Sequence, residues 1–391
     1  MNDMKKERMM QGIGRCLFGV CMVFVSILGM GVSVNAQSDE TAPQISGLEF
    51  QSEMTNQFAE KFHIYYYNDD YTLIDVPESG QFLLVPEGAE APDGLDEKIT
   101  VLQKPLDKIY MAATSSMSLF SAIDALDSVK FSSLQESGWY IDAAKEAMAD
   151  GSIVFAGKYS EPDYELLVNS ECDLAIESTM IQHAPKVQEM IEQMGIPVFI
   201  DHASYETHPL GRTEWVKVYA EMVDKREEAA AFFDEQARVI TDLEDFQNTE
   251  KTVAFFYVNS TGSVVVRKSD DYVPKMIEIA GGRYLPSSIE SEEESKRSSL
   301  PMTMEEFYAE AIDADYLIYN GTIDDPVSSI GELLAKSELF ADFKAVQEGN
   351  VWGVDSYLYQ ATDIVGNLIT DFHVMLTDGE ESQMTFLTKI D

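Results

Sequence analysis

The 391-residue chain is short of basic residues, with 27 Lys and Arg against 69 Asp and Glu and a formal net charge of -42 at pH 7. That balance excludes a nucleic-acid binder, which needs a basic face. Cysteine is almost absent. Cys16 and Cys21 lie in an early apolar stretch, and beyond it only Cys172 remains. Once that stretch is cleaved off no intramolecular disulfide is available, so stability rests on packed cores. There is no Gly-x-Ser-x-Gly elbow and no Ser-His-Asp order tied to a strand-turn-helix, which removes the usual serine-hydrolase signature. The carboxylates are too numerous to single out a glycosidase pair. What is present is the composition of a globular protein, 45% hydrophobic and 10% aromatic, at a length that allows two lobes with separate cores.

The N-terminus reads as a secretory signal over residues 1–36. Lys5, Lys6, Arg8 and Arg15 precede or open an apolar core from Cys16 to Met30, and Val34-Asn35-Ala36 offers a small-residue cleavage site before Gln37. The alternative is an uncleaved anchor, because the apolar stretch extends to Val34 and approaches spanning length. No Cys closely follows the apolar core, which argues against a lipid anchor. Removing residues 1–36 leaves a charge of about -44, which bears on solubility and partner steering and not on fold.

Residues 37–60 are polar and helix-prone. Phe62 to Tyr67 and Tyr71 to Val76 are β-rich and separated by the turn Asn68-Asp69-Asp70, with a further strand from Gln81 to Val85 and an acidic surface loop over 86–96. Strands are then expected at Lys108 to Ala113, Ile153 to Ala156, Leu174 to Ile176 and Ile196 to Ile200. Helical stretches between them imply βαβ units and a parallel sheet. From Lys225 to Phe246 an Ala-rich segment without Gly or Pro carries an apolar stripe at Ala229, Phe232, Phe233, Gln236, Val239 and Ile240. Its place between two βα regions predicts a rod joining two lobes, the alternative being an ordinary surface helix. Thr252 to Val258 opens the second region, Gly262 to Val266 returns, and a helix over Ser269 to Ala280 stops at Gly281-Gly282. A Ser/Glu-rich mobile loop is expected over 287–299. Strands at Asp315 to Tyr319 and Val351 to Val354 flank a helix over 331–348.

The stretch Gly195 to Trp215 is the most informative. A short buried strand runs into a polar loop with His202, Ser204, Tyr205, Glu206 and His208, and then into Gly211-Arg212-Thr213-Glu214-Trp215. Ligands of open α/β sheets bind at the carboxyl ends of strands, where this loop falls. The order of strand, aromatic polar loop and helix resembles the metal-chelate-binding proteins of ABC importers, as does the Ile279-Ala280-Gly281-Gly282-Arg283 helix end. The resemblance runs over most of the chain after residue 36. It implies two Rossmann-like α/β lobes with parallel sheets, joined by one long linker helix, with the ligand cleft between them. The corresponding domains are 37–224, 225–246 for the linker, and 247–391.

The resemblance also implies an extracytoplasmic, non-enzymatic monomer without a cofactor of its own. It would capture a metal chelate (ferric siderophore first, then a corrinoid, then haem) and deliver it to an ABC importer permease. Candidate ligand contacts are Thr114, Ser115, Tyr159, Ser178, Thr179, Tyr205 and Arg212 from the first lobe, and Asn259, Arg267, Tyr272 and Tyr357 from the second. For Thr114 and Ser115 a helix N-cap competes, and for Arg267 a salt bridge to Asp270 or Asp271. Trp215 and Trp352 read as core. The elements Pro162-Asp163-Tyr164-Glu165 and Met304-Glu305-Glu306-Phe307 resemble the family's permease-docking glutamates, with Glu305 and Glu306 not separable by spacing. Helix-start carboxylates favoured by the dipole are the alternative.

His202, Glu206 and His208 invite a metal centre, but their spacing does not match a helical His-Glu-x-x-His. A secreted hydrolase and a surface interaction protein are the readings from other classes.

Overall fold

The computed structural model describes residues 42–287, 298–324 and 326–391. The expected signal segment, and residues 288–297 of the loop expected over 287–299, lie outside them, while Ser299 at the end of that range already begins a strand. Ala42–Asp391 clusters as one unit.

Strands β1 (Phe50–Glu53), β2 (His63–Tyr67), β3 (Thr72–Val76), β4 (Gly80–Val85) and β5 (Ile99–Gln103) form a sheet in chain order. The first four pair antiparallel and β5 joins β4 in parallel. Asp69 and Asp70 make the expected turn with φ of 54° and 61°, a left-handed conformation that short polar side chains tolerate. The helix-prone reading of 37–60 is corrected by β1. Phe50 packs edge-on against Tyr65 and Tyr67, and this cross-strand pairing overrides local propensity. Alternation along the strands sends Ile64, Ile74, Phe82 and Leu84 into the first-lobe core, while Tyr65, Leu73 and Leu83 close a smaller core on the other face.

The first lobe continues with β6 (Ile109–Met111), α1 (Ser116–Ala122), β7 (Val129–Ser132), α2 (Asp142–Ala149) and β8 (Val154–Phe155). A tight hairpin, β9 (Gly157–Lys158) and β10 (Glu161–Pro162), leads to α3 (Tyr164–Asn169), β11 (Leu174–Ser178), α4 (Pro185–Gln193) and β12 (Val198–Asp201). The lobe's main sheet has the order β12-β11-β6-β7-β8, with every pair parallel. Two helices follow, α5 (Pro209–Glu214) and α6 (Val216–Val223).

The connecting helix α7 spans Arg226–Asp242, 17 residues and not the expected 225–246. At ~1.5 Å per residue its length is ~26 Å. Beyond it Phe246 turns away to pack on His373, with ring centroids 4.4 Å apart. The apolar stripe is divided between the lobes: Ala229 and Phe233 enter the first-lobe core, and Val239 enters a core of the second.

The second lobe holds β13 (Thr252–Val258), β14 (Val264–Arg267), α8 (Tyr272–Ile279), β15 (Arg283–Leu285), β16 (Ser299–Met302) and α9 (Met304–Ala311). It ends with β17 (Tyr316–Asn320), α10 (Ile330–Lys336), α11 (Lys344–Glu348), β18 (Val351–Val354), α12 (Val365–Leu376) and β19 (Thr388–Lys389). Its sheet runs β16-β14-β13-β17-β18-β19, with β15 also on β13 and a parallel centre of β13, β17 and β18. The expected single helix over 331–348 is two helices. Ser337 is extended at φ -162°, and the chain between them turns Phe340 and Phe343 into the core. Gly281 has φ 94°, and a Cβ there would lie 2.5 Å from the Phe246 ring, so the glycine stop is both conformational and steric.

Side-chain bonds also tie the lobes together. Gln360 accepts from Tyr140 N and donates to Gly138 O, both at 2.8 Å. Thr213 Oγ1 donates to Thr362 O at 2.9 Å, and Thr362 N donates to Ser118 Oγ at 3.0 Å. Gln236 on α7 accepts from Gly366 N and donates to Asn367 on α12.

Candidate functional site

The loops after β11 and β12, together with the turn from β14 into α8, line a cavity of about 550 Å³. That size suits a small-molecule site. The first lobe supplies Thr179, Gln182, the run from His202 to Thr207 without Ala203, and Arg212; the second supplies Lys268, Asp270, Asp271, Tyr272 and Ser298. Glu78, from the β3–β4 turn of the preceding sheet, completes the wall. A smaller space of about 160 Å³ shares Ser204, Arg212, Asp271, Tyr272 and Ser298 and adds Arg267, Thr322, Leu358 and Tyr359.

Tyr272 is the centre of this wall. The Arg212 guanidinium lies 4.0 Å from its ring centroid and that of Arg267 lies 5.7 Å from it. Arg267 Nη1 is also 3.7 Å from Asp271 Oδ2 and donates to Ser298 Oγ at 3.4 Å. Asp271 in turn caps α8 by accepting from Val273 N. Burial raises the Asp271 carboxyl above the usual carboxylate range, and Arg267 pulls it partly back. Two guanidiniums beside one aromatic ring, with hydroxyls nearby, can hold anionic oxygens next to a flat apolar surface.

The helix after the polar loop is built by buried carboxylates. Glu214 accepts from the backbone N–H groups of Gln57, Phe58 and Ala59 and from Lys217 Nζ. Glu206 accepts from Glu60 N, Lys61 N and Trp215 Nε1. A Cβ on Gly211 would lie 3.0 Å from Phe58 O. The Gly-Arg-x-Glu-Trp pattern therefore clamps the 57–61 segment and aims Arg212 at the cavity. Trp215 and Trp352 are buried, as expected.

Of the sequence candidates, Thr179, Tyr205, Arg212 and Tyr272 line the larger cavity, and Arg267 lines the smaller one. The others lie off both walls. Thr114 and Ser115 are half-buried before α1, where neighbouring Ser116 bonds Asp201 and Tyr219. Ser178 caps the turn after β11, and Asn259 Oδ1 accepts from Thr261 N and Ser263 N to close a turn. Tyr159 packs on a core in the β9–β10 turn, and Tyr357 donates to Asp363 and stacks on Phe386.

The three residues that invited a metal centre divide. Glu206 is committed to backbone and indole, and His208 accepts from Leu210 N while stacking on Phe58. His202 alone is buried at the cavity wall with neither ring nitrogen hydrogen-bonded.

Lining residues missed by sequence reasoning include Glu78, Gln182, Lys268, Ser298, Thr322 and Tyr359. Lys268 follows Arg267 at the end of β14, and the rule that selected the arginine also covers the lysine. Glu78 had no local signal, because only the packing of the preceding sheet brings its turn to the cavity.

Two α/β lobes on one helix, with an aromatic and charged cavity lined from both, define a solute-binding protein. The chain belongs to the periplasmic binding protein family, whose profile matches residues 119–358. It is similar to two uncharacterized lipoproteins of Methanocaldococcus jannaschii. One is 25% identical over 381 residues, covering 92% of this chain and 94% of the relative. The other is 23% identical over 351 residues, covering 81% of each. In fold it is similar to a periplasmic heme binding protein from Pseudomonas aeruginosa, with a TM-score of 0.55 at 15% identity, covering 73% of this chain and 98% of that one. Among the described residues no helix is long and apolar enough to cross a membrane.

Proposed function

We propose that the protein is the extracytoplasmic solute-binding component of an ABC importer and that it captures a metal chelate, a ferric siderophore before a corrinoid or haem. The observation that carries this reading is the Arg212–Tyr272–Arg267 group at a cavity lined by both lobes. Oxygen donors around a ferric ion carry negative charge, and guanidiniums on an aromatic ring complement both that charge and a flat apolar periphery. The haem-binding neighbour supports the same ligand class. The relatives' description as lipoproteins supports placement outside the cytoplasm.

Delivery is proposed to use Glu165 and Glu305. Both are exposed in the first turns of α3 and α9. Glu306 is occupied otherwise: its carboxylate accepts from Thr303 N and Thr303 Oγ1 in a capping box, which holds its pKa low.

The three tryptophans allow a direct test, since Trp215 bonds the cavity residue Glu206. Titration with siderophores, corrinoids and haem should quench fluorescence saturably at micromolar or lower concentration for the right class. No response across the panel removes the chelate reading.

A further inference from the structure

We infer that the groove between β5 and the amino-terminal end of the first lobe's main sheet is a docking site for a basic, extended segment of a partner protein, which adds to β5 as a further strand. The groove has a volume of about 390 Å³. It is lined by Val101 to Gln103 of β5, by the turn after α3 and by Met194 to Pro197, which lead into β12. It lies at the amino-terminal ends of β11 and β12, whereas the inter-lobe cavity takes Thr179 and His202 from their carboxyl ends. The inference is therefore independent of the chelate-binding reading.

Unpaired strand edges invite other strands, and proteins usually blunt them with charge, proline, a bulge, shortness or a cover. Other edge strands here are blunted. β1 is bulged between Phe50 and Ser52 and carries Glu53, β8 and β19 have two residues each, and β16 contains Pro301. The edge of β12 is met by the β3–β4 turn, where Ser79 Oγ donates to Ile200 O at 3.2 Å. β5 differs: it reads Ile-Thr-Val-Leu-Gln, uncharged, without proline and with an unbroken register on β4. Among the described residues it pairs with β4 alone. Lys104 N donates to Val85 O, and residues of a strand alternate, so the backbone groups of Val101 and Gln103 fall on the open side. Among the described residues no partner bonds them there.

The groove also selects its occupant. Val168 and Met194 expose apolar side chains on its wall, which suits the alternate apolar residues of an added strand. Both charged wall residues, Glu171 and Asp173, are acidic. The neighbouring Lys108 bonds Glu171 at 3.1 Å and is shared with Asp107 and Asp173, one positive charge among three negative ones. Lys104, at the end of β5, is engaged by Asp224. A basic partner segment is attracted to this rim, whereas a second copy of a chain with a net charge of -42 would bring like charge to it.

Labelled hexapeptides test this by fluorescence anisotropy: one of alternating Lys and Val, one of alternating Glu and Val, and the Lys/Val peptide with all its backbone amides methylated. The Lys/Val peptide should bind about tenfold more tightly than the Glu/Val peptide, or better. Methylation keeps the charge and removes the strand's donors, and should weaken binding by about fivefold or more. Amide exchange at Val101 and Gln103 should slow in the complex, while that of β1 is unchanged. Met194→Lys, at an exposed position, should weaken the Lys/Val peptide by about fivefold through like charge. Val101→Pro removes an outward donor in a place where an edge strand accepts proline, and should also weaken it. Equal binding of the Lys/Val peptide and its methylated form would reveal general attraction to an acidic surface and overturns the inference. So does a wild type that binds no Lys/Val peptide, or wild-type affinity in Met194→Lys. Protection of Val101 and Gln103 that rises with protein concentration in the absence of peptide gives the edge to a second copy and likewise overturns it.

Discussion

The guanidinium of Arg212, on α5, covers the ring of Tyr272, on α8, at 4.0 Å from its centroid. The contact spans the two lobes and lies at both cavities, so one pair contributes to cohesion and to the ligand wall. Under the proposed function it also offers an anionic chelate a positive patch.

Replacing Arg212 with Gln separates these two roles. Loss of the cation–π contact should reduce stability by about 0.5–2 kcal/mol, read as a lower denaturation midpoint. Loss of the charge should weaken an anionic chelate more than a neutral corrinoid in fluorescence titration. Equal weakening of both ligands would mean that the guanidinium acts by packing alone.

Closure should be small. α7 is embedded in both cores, and Gln360 and Thr362 bridge the lobes away from it. Small-angle scattering with and without ligand should show nearly unchanged dimensions. Gly366→Ala attacks this arrangement directly, because a Cβ there would sit 2.2 Å from Gln236 O on α7. Backbone must then move, at a cost of about 1–3 kcal/mol. A variant of wild-type stability would show that α12 and α7 can slide apart freely.

Glu177, on β11, is fully buried with both carboxylate oxygens unpartnered, and burial pushes its pKa from 4.5 up to about 8. The folded protein therefore holds a proton that the unfolded chain releases near pH 4.5. The stability associated with the bound proton is fully present below pH 4.5, falls as pH rises, and is lost by about pH 8. The total is on the order of a few kcal/mol. Glu177→Gln should flatten chemical-denaturation midpoints across this window and be the more stable protein at pH 8. A parallel pH profile for the two would show that water or an ion satisfies the carboxylate.

Much of this architecture was legible in the chain because its signals are local. β13 and β18 have the bounds that their apolar runs suggest, and Gly281 ends α8 through its own backbone conformation. The errors arise where distant packing decides. β1 is a strand because Phe50 finds Tyr65 and Tyr67, and the helix expected over 331–348 breaks because Phe340 and Phe343 belong in a core. The candidate site divides in the same way. Arg212 and Tyr272 stand beside strand ends, where position along the chain predicts the cavity. Asn259 and Ser178 stand there too, but their side chains are taken by neighbouring backbone. Glu78 is the opposite case, brought to the wall by a sheet with no local relation to the cleft.

Docking can be separated from capping because the two second-lobe glutamates differ. Glu306 is bound to Thr303, whereas Glu305 projects from the same turn without a hydrogen bond or ion pair among the described residues. Rim charges govern encounter rate and register, with little effect on affinity for a distant small ligand. The double variant Glu165→Gln, Glu305→Gln should therefore bind chelate normally and lose most uptake, with each single change weaker than the pair. Its residual transport should also respond less to salt, because the screened attraction is what has been removed. Glu306→Gln should lower the denaturation midpoint while leaving uptake per folded molecule unchanged. If the double variant imports at the wild-type rate, or if Glu306→Gln is the variant that stops uptake, the assignment of Glu165 and Glu305 to the permease is wrong.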